Sequence, residues 1–166
     1  GILVSAKEKV YVAQRLPGGE RAIWSLDAKG NKTLEDKLLH GGVQLAFSPD
    51  QQWLVSSEEH SHWVYVYTVD ENGKLSNGCR YYWLHNTDNS DFDRKGNMAF
   101  DSNKVLYVAT PIGIQVSETR GLALAILTLP SGGKISSICF GGENRDVLFA
   151  VSGGKLYYRK MKIKGA

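Results

Sequence analysis

The stretch G-V-Q-L-A-F-S-P-D-Q-Q-W-L-V-S-S, residues 42–57, reads as a short apolar strand, a tight turn and a second apolar strand. Its phrase returns as G-N-M-A-F-D-S-N-K-V-L-Y-V-A-T over 96–110, and again as S-S-I-C-F-G-G-E-N-R-D-V-L-F-A-V-S over 136–152. Aligned on Phe47, Phe100 and Phe140, the copies lie 53 (100 − 47) and 40 (140 − 100) residues apart. A fainter copy, G-I-L-V-S-A-K-E-K-V-Y-V-A-Q over 1–14, places Leu3 where the others have Phe, at 44 (47 − 3) residues. Intervals of roughly 40–50 residues holding about four strands mark the blades of a β-propeller. One small twisted sheet cannot cover both of its faces, so neighbouring sheets stack on one another.

Strand signals dominate the rest of the chain. V-Y-V-A-Q, A-I-W-S-L, W-V-Y-V-Y-T-V, V-L-Y-V-A-T and V-L-F-A-V-S are rich in β-branched and aromatic residues. P-G-G, A-K-G-N-K, D-E-N-G-K and S-G-G-K punctuate them as turns. The nearest approach to a helical pattern, T-L-E-D-K-L-L over 33–39, is too short to stand alone. The expected fold is all-β: a single domain over 1–166 of about three and a half four-stranded antiparallel blades. Their expected spans are 1–40, 41–85, 94–133 and 134–166, the last with three clear strands. An incomplete ring leaves blade faces and strand edges uncovered. The chain is therefore expected to be a fragment or C-terminal domain of something longer, or to form a homodimer.

Composition narrows the partners. The 166 residues are 42% hydrophobic and 22% charged, as in globular domains. A net charge of +3 is too small to argue for nucleic acid. No apolar run reaches the roughly 18 residues of a membrane span. The basic segment Y-Y-R-K-M-K-I-K-G, 157–165, reads as a strand with one wet face. Cys79 and Cys139 form no zinc or redox pattern; Cys139 reads as a small core residue and Cys79 as exposed, with a disulfide between them left open.

The ordered series L-A-F-S-P-D-Q-Q-W-L-V, L-Y-V-A-T-P-I-G-I-Q-V, I-C-F-G-G and K-L-Y-Y-R-K-M-K-I-K-G-A resembles the senescence-marker-protein/gluconolactonase/luciferin-regenerating-enzyme family over essentially the whole chain. It corresponds to the C-terminal half of that family's six-bladed propeller. The resemblance implies hydrolysis of sugar lactones. It also implies a divalent cation, calcium or zinc, held on the axis by oxygen donors at the starts of the innermost strands. Relatives of this type are often exported by bacteria, which implies an extracytoplasmic location.

Two of those family ligands map into this chain, each four residues before an aligned Phe. Val43 stands at the Asn position, with Gln44 following. Gly96 stands at the Asp position, with Asn97 following; Ser136 is the equivalent in the fourth copy. Valine has no lone pair and glycine offers only its backbone carbonyl. No cofactor is therefore expected in this chain, and a degenerate, non-catalytic binding module is the preferred reading. The alternative is a metal-dependent lactone or ester hydrolase completed by residues outside the chain.

Weak substitute ligands are Asp91 and Asp93 in the polar run 85–97. Gln44, Glu58, Asn97 and Ser136 are the candidates for contacting a carbohydrate or lactone. The cluster Glu58, Glu59, His60 and His62 reads either as a metal or acid–base site or as a solvated hairpin turn. The four tryptophans, Trp24, Trp53, Trp63 and Trp83, suit packing between blades or stacking on a sugar. No G-x-S-x-G nucleophile elbow is present.

Overall fold

The computed structural model describes residues 1–38, 44–57, 61–86, 95–130 and 132–166. These residues form fifteen antiparallel strands and no helix, so nothing described is long and apolar enough as a helix to cross a membrane. The first sheet comprises β1 (Ile2–Val4), β2 (Val10–Arg15), β3 (Arg21–Leu26) and β4 (Lys32–Leu38). The second comprises β5 (Leu45–Phe47), β6 (Trp53–Ser57), β7 (Trp63–Val69) and β8 (Leu75–Trp83). The third comprises β9 (Met98–Phe100), β10 (Leu106–Thr110), β11 (Gly113–Ser117) and β12 (Ala123–Leu127). The fourth has three strands, β13 (Ile135–Gly141), β14 (Val147–Ser152) and β15 (Lys155–Lys160). Each sheet runs in simple sequence order, as a propeller blade does.

The expectation of about three and a half blades is corrected to four. The last segment keeps the three strands expected of it but forms a sheet of its own, and the faint first copy is a full four-stranded sheet in which Leu3 faces Tyr11 across the ladder. The segment 33–39, closest to a helical pattern, lies in β4 through Leu38.

The chain divides into two compact units, Gly1–Tyr81 and Tyr82–Ala166. Each is built on the same contact. In the first, Tyr11 of β2 meets Phe47 of β5 edge to face, centroids 5.4 Å apart. In the second, Tyr107 of β10 meets Phe140 of β13 edge to face at 5.1 Å. Such pairs contribute about 0.5–1.5 kcal/mol beyond the area they bury. Around the first pair, Ile23, Leu45, Leu54, Tyr67 and Leu75 close a core; around the second, Ile114, Ile135, Ile138 and Leu148 do.

The repeat is also written in the backbone. The hairpin joining the first two strands of every sheet carries one non-glycine residue in the left-handed region: Glu8, Gln51, Lys104 and Arg145, with φ of 60°, 55°, 63° and 54°. Each donates its amide to the carbonyl three residues earlier, at Ser5, Ser48, Asp101 and Gly142. A tight turn closed by one left-handed residue matches the twist of the strands it joins.

Polar contacts tie the sheets of the first unit together. Glu35 on β4 is buried and accepts from Lys9 Nζ (3.0 Å), Ser25 Oγ (2.5 Å) and the amide of Leu75 (2.9 Å). Lys9 also donates to the Gly73 carbonyl, and the Tyr11 hydroxyl does the same. Tyr67 donates to Asp36 at 2.8 Å.

Three local expectations are overturned or refined. Cys139 is exposed, as is Cys79, and both are free thiols; the neighbours Ile138 and Phe140 take the packed positions on β13. Trp83 is exposed. The basic segment is a strand only to Lys160 and is wet on most of its length. Beyond it, residues 161–166 turn back and bridge to Asp101 through Gly165.

Burial, reinforced by nearby Glu35 and Asp70, pushes the Tyr11 phenol up to about 12. Burial and then Asp101 do the same to Tyr107. A raised tyrosine pKa means that the folded state keeps a proton which the unfolded state loses from about pH 10. Stability is therefore full below pH 10 and falls as pH rises from 10 toward 12. Denaturant unfolding followed at pH 8, 10 and 11.5 is expected to show that decline, and Tyr11→Phe to make it shallower.

Candidate functional site

The place to look is the end of each blade where the innermost strand starts and its neighbour ends. In the second unit this end is built by Lys95, Gly96 and Asn97 before β9, Thr110 closing β10, and Ser136 near the start of β13. The ladder of β9 and β10 extends to it: the Gly96 amide donates to the Ala109 carbonyl (2.9 Å) and the Ala109 amide to the Asn97 carbonyl (3.1 Å).

Gly96 is buried, and the reason it is glycine is spatial. A Cβ there would lie 2.6 Å from the Ala109 Cβ and 2.7 Å from the Ser136 carbonyl oxygen. Two inner strands pass so close that no side chain fits. Asn97 turns this approach into a clamp. Its Nδ2 donates to the Ile138 carbonyl and its Oδ1 accepts the Ile138 amide, both at 2.7 Å. Both polar ends of the amide are thus used on the backbone of β13. Ser136 Oγ donates to the Val151 carbonyl at 3.1 Å.

A second amide acts alike. Gln115 of β11 is buried; its Nε2 donates to the His85 carbonyl (2.8 Å) and to Thr110 Oγ1 (3.2 Å), while its Oε1 accepts the His85 amide (2.8 Å). Thr110 Oγ1 donates onward to the Gly113 carbonyl at 2.7 Å. Lys95, buried, immediately precedes Gly96.

In the first unit the corresponding end holds Gln44, half-buried ahead of β5, whose carbonyl accepts the Ser57 amide at 3.2 Å. The hydroxyls of Ser56 and Ser57 are buried beside it. Val43, Glu58, Asp91 and Asp93, together with Glu59 and His60, lie outside the described residues. The structure thus brings Gly96, Asn97 and Ser136 together and places Gln44 in the other unit. Sequence reasoning missed Gln115, Thr110 and Lys95. Gln115 carried a usable signal, an amide inside the otherwise apolar strand G-I-Q-V-S.

The described residues at this end do not suit a divalent cation. Calcium wants six to eight oxygens, several of them carboxylate. In the second unit the donors are backbone carbonyls, the Asn97 and Gln115 amides bonded at both ends, and the hydroxyls of Thr110 and Ser136, with a buried lysine beside Gly96; in the first unit they include the hydroxyls of Ser56 and Ser57. Among the described residues no cluster of three His, Cys, Asp or Glu could hold a metal ion.

The family model for the SMP-30/Gluconolactonase/LRE-like region matches residues 13–154. The chain belongs to this family. No curated protein is similar to it in sequence. Among solved structures, a gluconolactonase from Xanthomonas campestris shares 18% identity at a TM-score of 0.75, covering 99% of this chain and 56% of its own. The calcium-binding protein regucalcin from Agrobacterium tumefaciens shares 14% at 0.69, covering 95% and 63%. The periplasmic gluconolactonase of Pseudomonas aeruginosa shares 11% at 0.72, covering 99% and 55%. These likenesses establish the propeller fold, and the chain spans less than two thirds of the length of each relative.

Restoring the family's acid is expected to break this packing rather than make a site. Gly96→Asp must push Ala109 and the Ser136 carbonyl aside, at about 2 kcal/mol. Thermal melting with and without millimolar calcium is expected to show a lowered midpoint that calcium leaves where it is.

Proposed function

We propose that this chain is a degenerate member of its family: a propeller module that binds a partner and does not itself hydrolyse lactones. The observation that carries the reading is the Gly96–Ser136 approach with the Asn97 clamp. Where a lactonase of this family needs a carboxylate, the strands touch, and the neighbouring amide is fully engaged. A Lewis-acid route to the lactone carbonyl needs a cation held there, and the described donors do not supply one. Gln44 in the first unit and Ser136 in the second are the polar groups we propose, each at its own unit's end, for contact with a sugar or lactone.

A second reading has its own support. The chain spans 56% of the Xanthomonas gluconolactonase's length. A lactone hydrolase whose donors come from outside this chain would fit that proportion. The first reading is tested on the chain itself. Under the first, calorimetry with calcium and with zinc shows no heat, and gluconolactone hydrolysis stays at the spontaneous rate while the fold stays intact. Metal-dependent turnover by this chain would overturn it. For location, the periplasmic neighbour supports an extracytoplasmic site.

Exposed apolar strands in the first and fourth sheets support a reading of assembly. β1 exposes Ile2 (74%) and Val4 (58%), and β15 exposes Leu156 (66%) and Tyr158 (78%). Apolar side chains on blade faces are normally covered by the next blade. We propose that a second copy, or blades from a longer chain, covers them. Light scattering of the purified chain is expected to give a dimer or larger species, and Leu156→Lys with Tyr158→Lys to return it to monomer. A wild-type monomer at high concentration would contradict the homodimer.

A further inference from the structure

The opposite end of the blades, where the first hairpins lie, is not the same in the two units. In the second unit it is filled by the chain itself. Residues 161–166 run between the hairpins of the third and fourth sheets. The Met161 amide donates to Asp146 O (2.7 Å), Ser102 N to Lys164 O (2.8 Å), Gly165 N to Arg145 O (2.8 Å) and Ala166 N to Phe100 O (3.1 Å). Gly165 sits flat on Phe140, with no room for a Cβ.

The first unit has the same walls. By their ladder partners and left-handed turn residues, Val4, Ser5 and Ala6 match Phe100, Asp101 and Ser102, and Gln51 matches Arg145. Tyr11 on Phe47 matches Tyr107 on Phe140. Among the described residues no chain segment lies between these walls. They enclose instead an open cleft of about 930 Å³, floored by Tyr11 and Phe47 and flanked by Trp53. The Ala6 amide, counterpart of the Ser102 amide that holds Lys164, is capped by the side chain of Gln51, with Oε1 at 2.9 Å. A glutamine amide stands where the second unit has a peptide carbonyl.

We propose that this cleft binds an extended peptide carrying a glycine next to lysine, docked through its main chain as residues 161–166 are docked in the second unit. Main-chain hydrogen bonds supply the register. The Tyr11–Phe47 floor excludes a bulky side chain at the glycine position. Charge selects the flanks: Asp27, Asp50, Asp70 and Glu71 line the cleft, while Lys9 is held by Glu35 and Lys7 by the Glu71 carbonyl. Hydrogen bonds from the Asn31 side chain and amide hold the Asp27 carboxyl below its usual range, and those from the Lys74 and Asn72 amides do the same for Asp70. In the second unit Lys160 likewise pairs with Asp146 at 2.5 Å. The inference stands apart from the axial end and holds whether or not a lactone is turned over there.

The probe is a capped synthetic peptide, Met-Lys-Ile-Lys-Gly-Ala, titrated into the full chain by calorimetry and tryptophan fluorescence. Saturable binding is expected, at least about tenfold weaker when the peptide glycine becomes valine, and weaker in Glu71→Gln. Gln51→Ala, which frees the Ala6 amide, is expected to tighten it. Ala28→Trp, at an exposed turn lining the cleft, is expected to abolish it. Absence of saturation at millimolar peptide would overturn the proposal. So would equal affinity for the glycine and valine peptides, or binding that survives Ala28→Trp, which would report exchange with residues 161–166 of the second unit.

Discussion

The edge-to-face seating of a second-strand tyrosine on the phenylalanine of the next inner strand organises each unit. A four-stranded twisted sheet has two faces, and here one is covered by its neighbour through that single aromatic contact and the aliphatic shell around it. The tyrosine can reach only if the inner hairpin turns tightly beside it. In all four sheets the inner hairpin carries one non-glycine residue, Glu8, Gln51, Lys104 or Arg145, with a left-handed backbone. A left-handed residue costs roughly 1 kcal/mol, and the packing it permits more than offsets this. The hydroxyls complete the contact differently. Tyr11 ties to the outer hairpin at Gly73, and Tyr107 to Asp101 at the base of its own turn.

The same demand for close sheets accounts for the axial end. Drawing β9 and β13 together brings the Gly96 backbone against the Ser136 carbonyl, and the polar groups left facing each other must be satisfied. Asn97 and Gln115 do this by offering both ends of an amide to backbone. An amide so used is a staple: it is rigid, neutral and already coordinated by protein. A cation site needs the reverse, converging oxygens held slightly apart with a negative balance. One geometry excludes the other at a given pair of strands.

How much of this the sequence discloses follows from range. Blade boundaries at 1–40, 41–85, 94–133 and 134–166 enclose the four sheets, because they rest on local alternation and turn chemistry repeated along the chain. The fourth strand of the first blade is harder to read, since T-L-E-D-K-L-L comes nearest in the chain to a helical pattern. Cys139 was misplaced for a different reason. β13 packs through Ile138 and Phe140, and its shifted pairing between Ile135 and Ser137 leaves the thiol outward. The clamps of Asn97 and Gln115 are invisible locally, because their partners lie 41 and 30 residues away. Nor does the sequence reveal that residues beyond Lys160 leave the sheet; the alternation of Lys162, Ile163 and Lys164 suits a strand as well as it suits a docked tail.

Internal repetition makes one unit informative about the other. Two grooves with the same aromatic floor and the same hairpin walls evolved different neighbours. One is closed by its own chain, with a glycine chosen for contact with Phe140. The other keeps its amide capped by Gln51 and surrounds the opening with carboxylates. Had the second groove lost all use, larger side chains filling the space over Tyr11 and Phe47 would stabilise the fold by burying the ring faces. Beside Pro49, Trp53 and Val69, much of its lining is instead small or polar, with Ser5, Ala6, Ala28, Thr68 and Gly73 among it. At the inner-strand end of the second unit, Asn97 and Gln115 already spend both ends of their amides on backbone. An open groove with free volume, an aromatic base and a defined charge offers shape, register and selectivity together. These are the features on which the proposed peptide site at the hairpin end of the first unit rests.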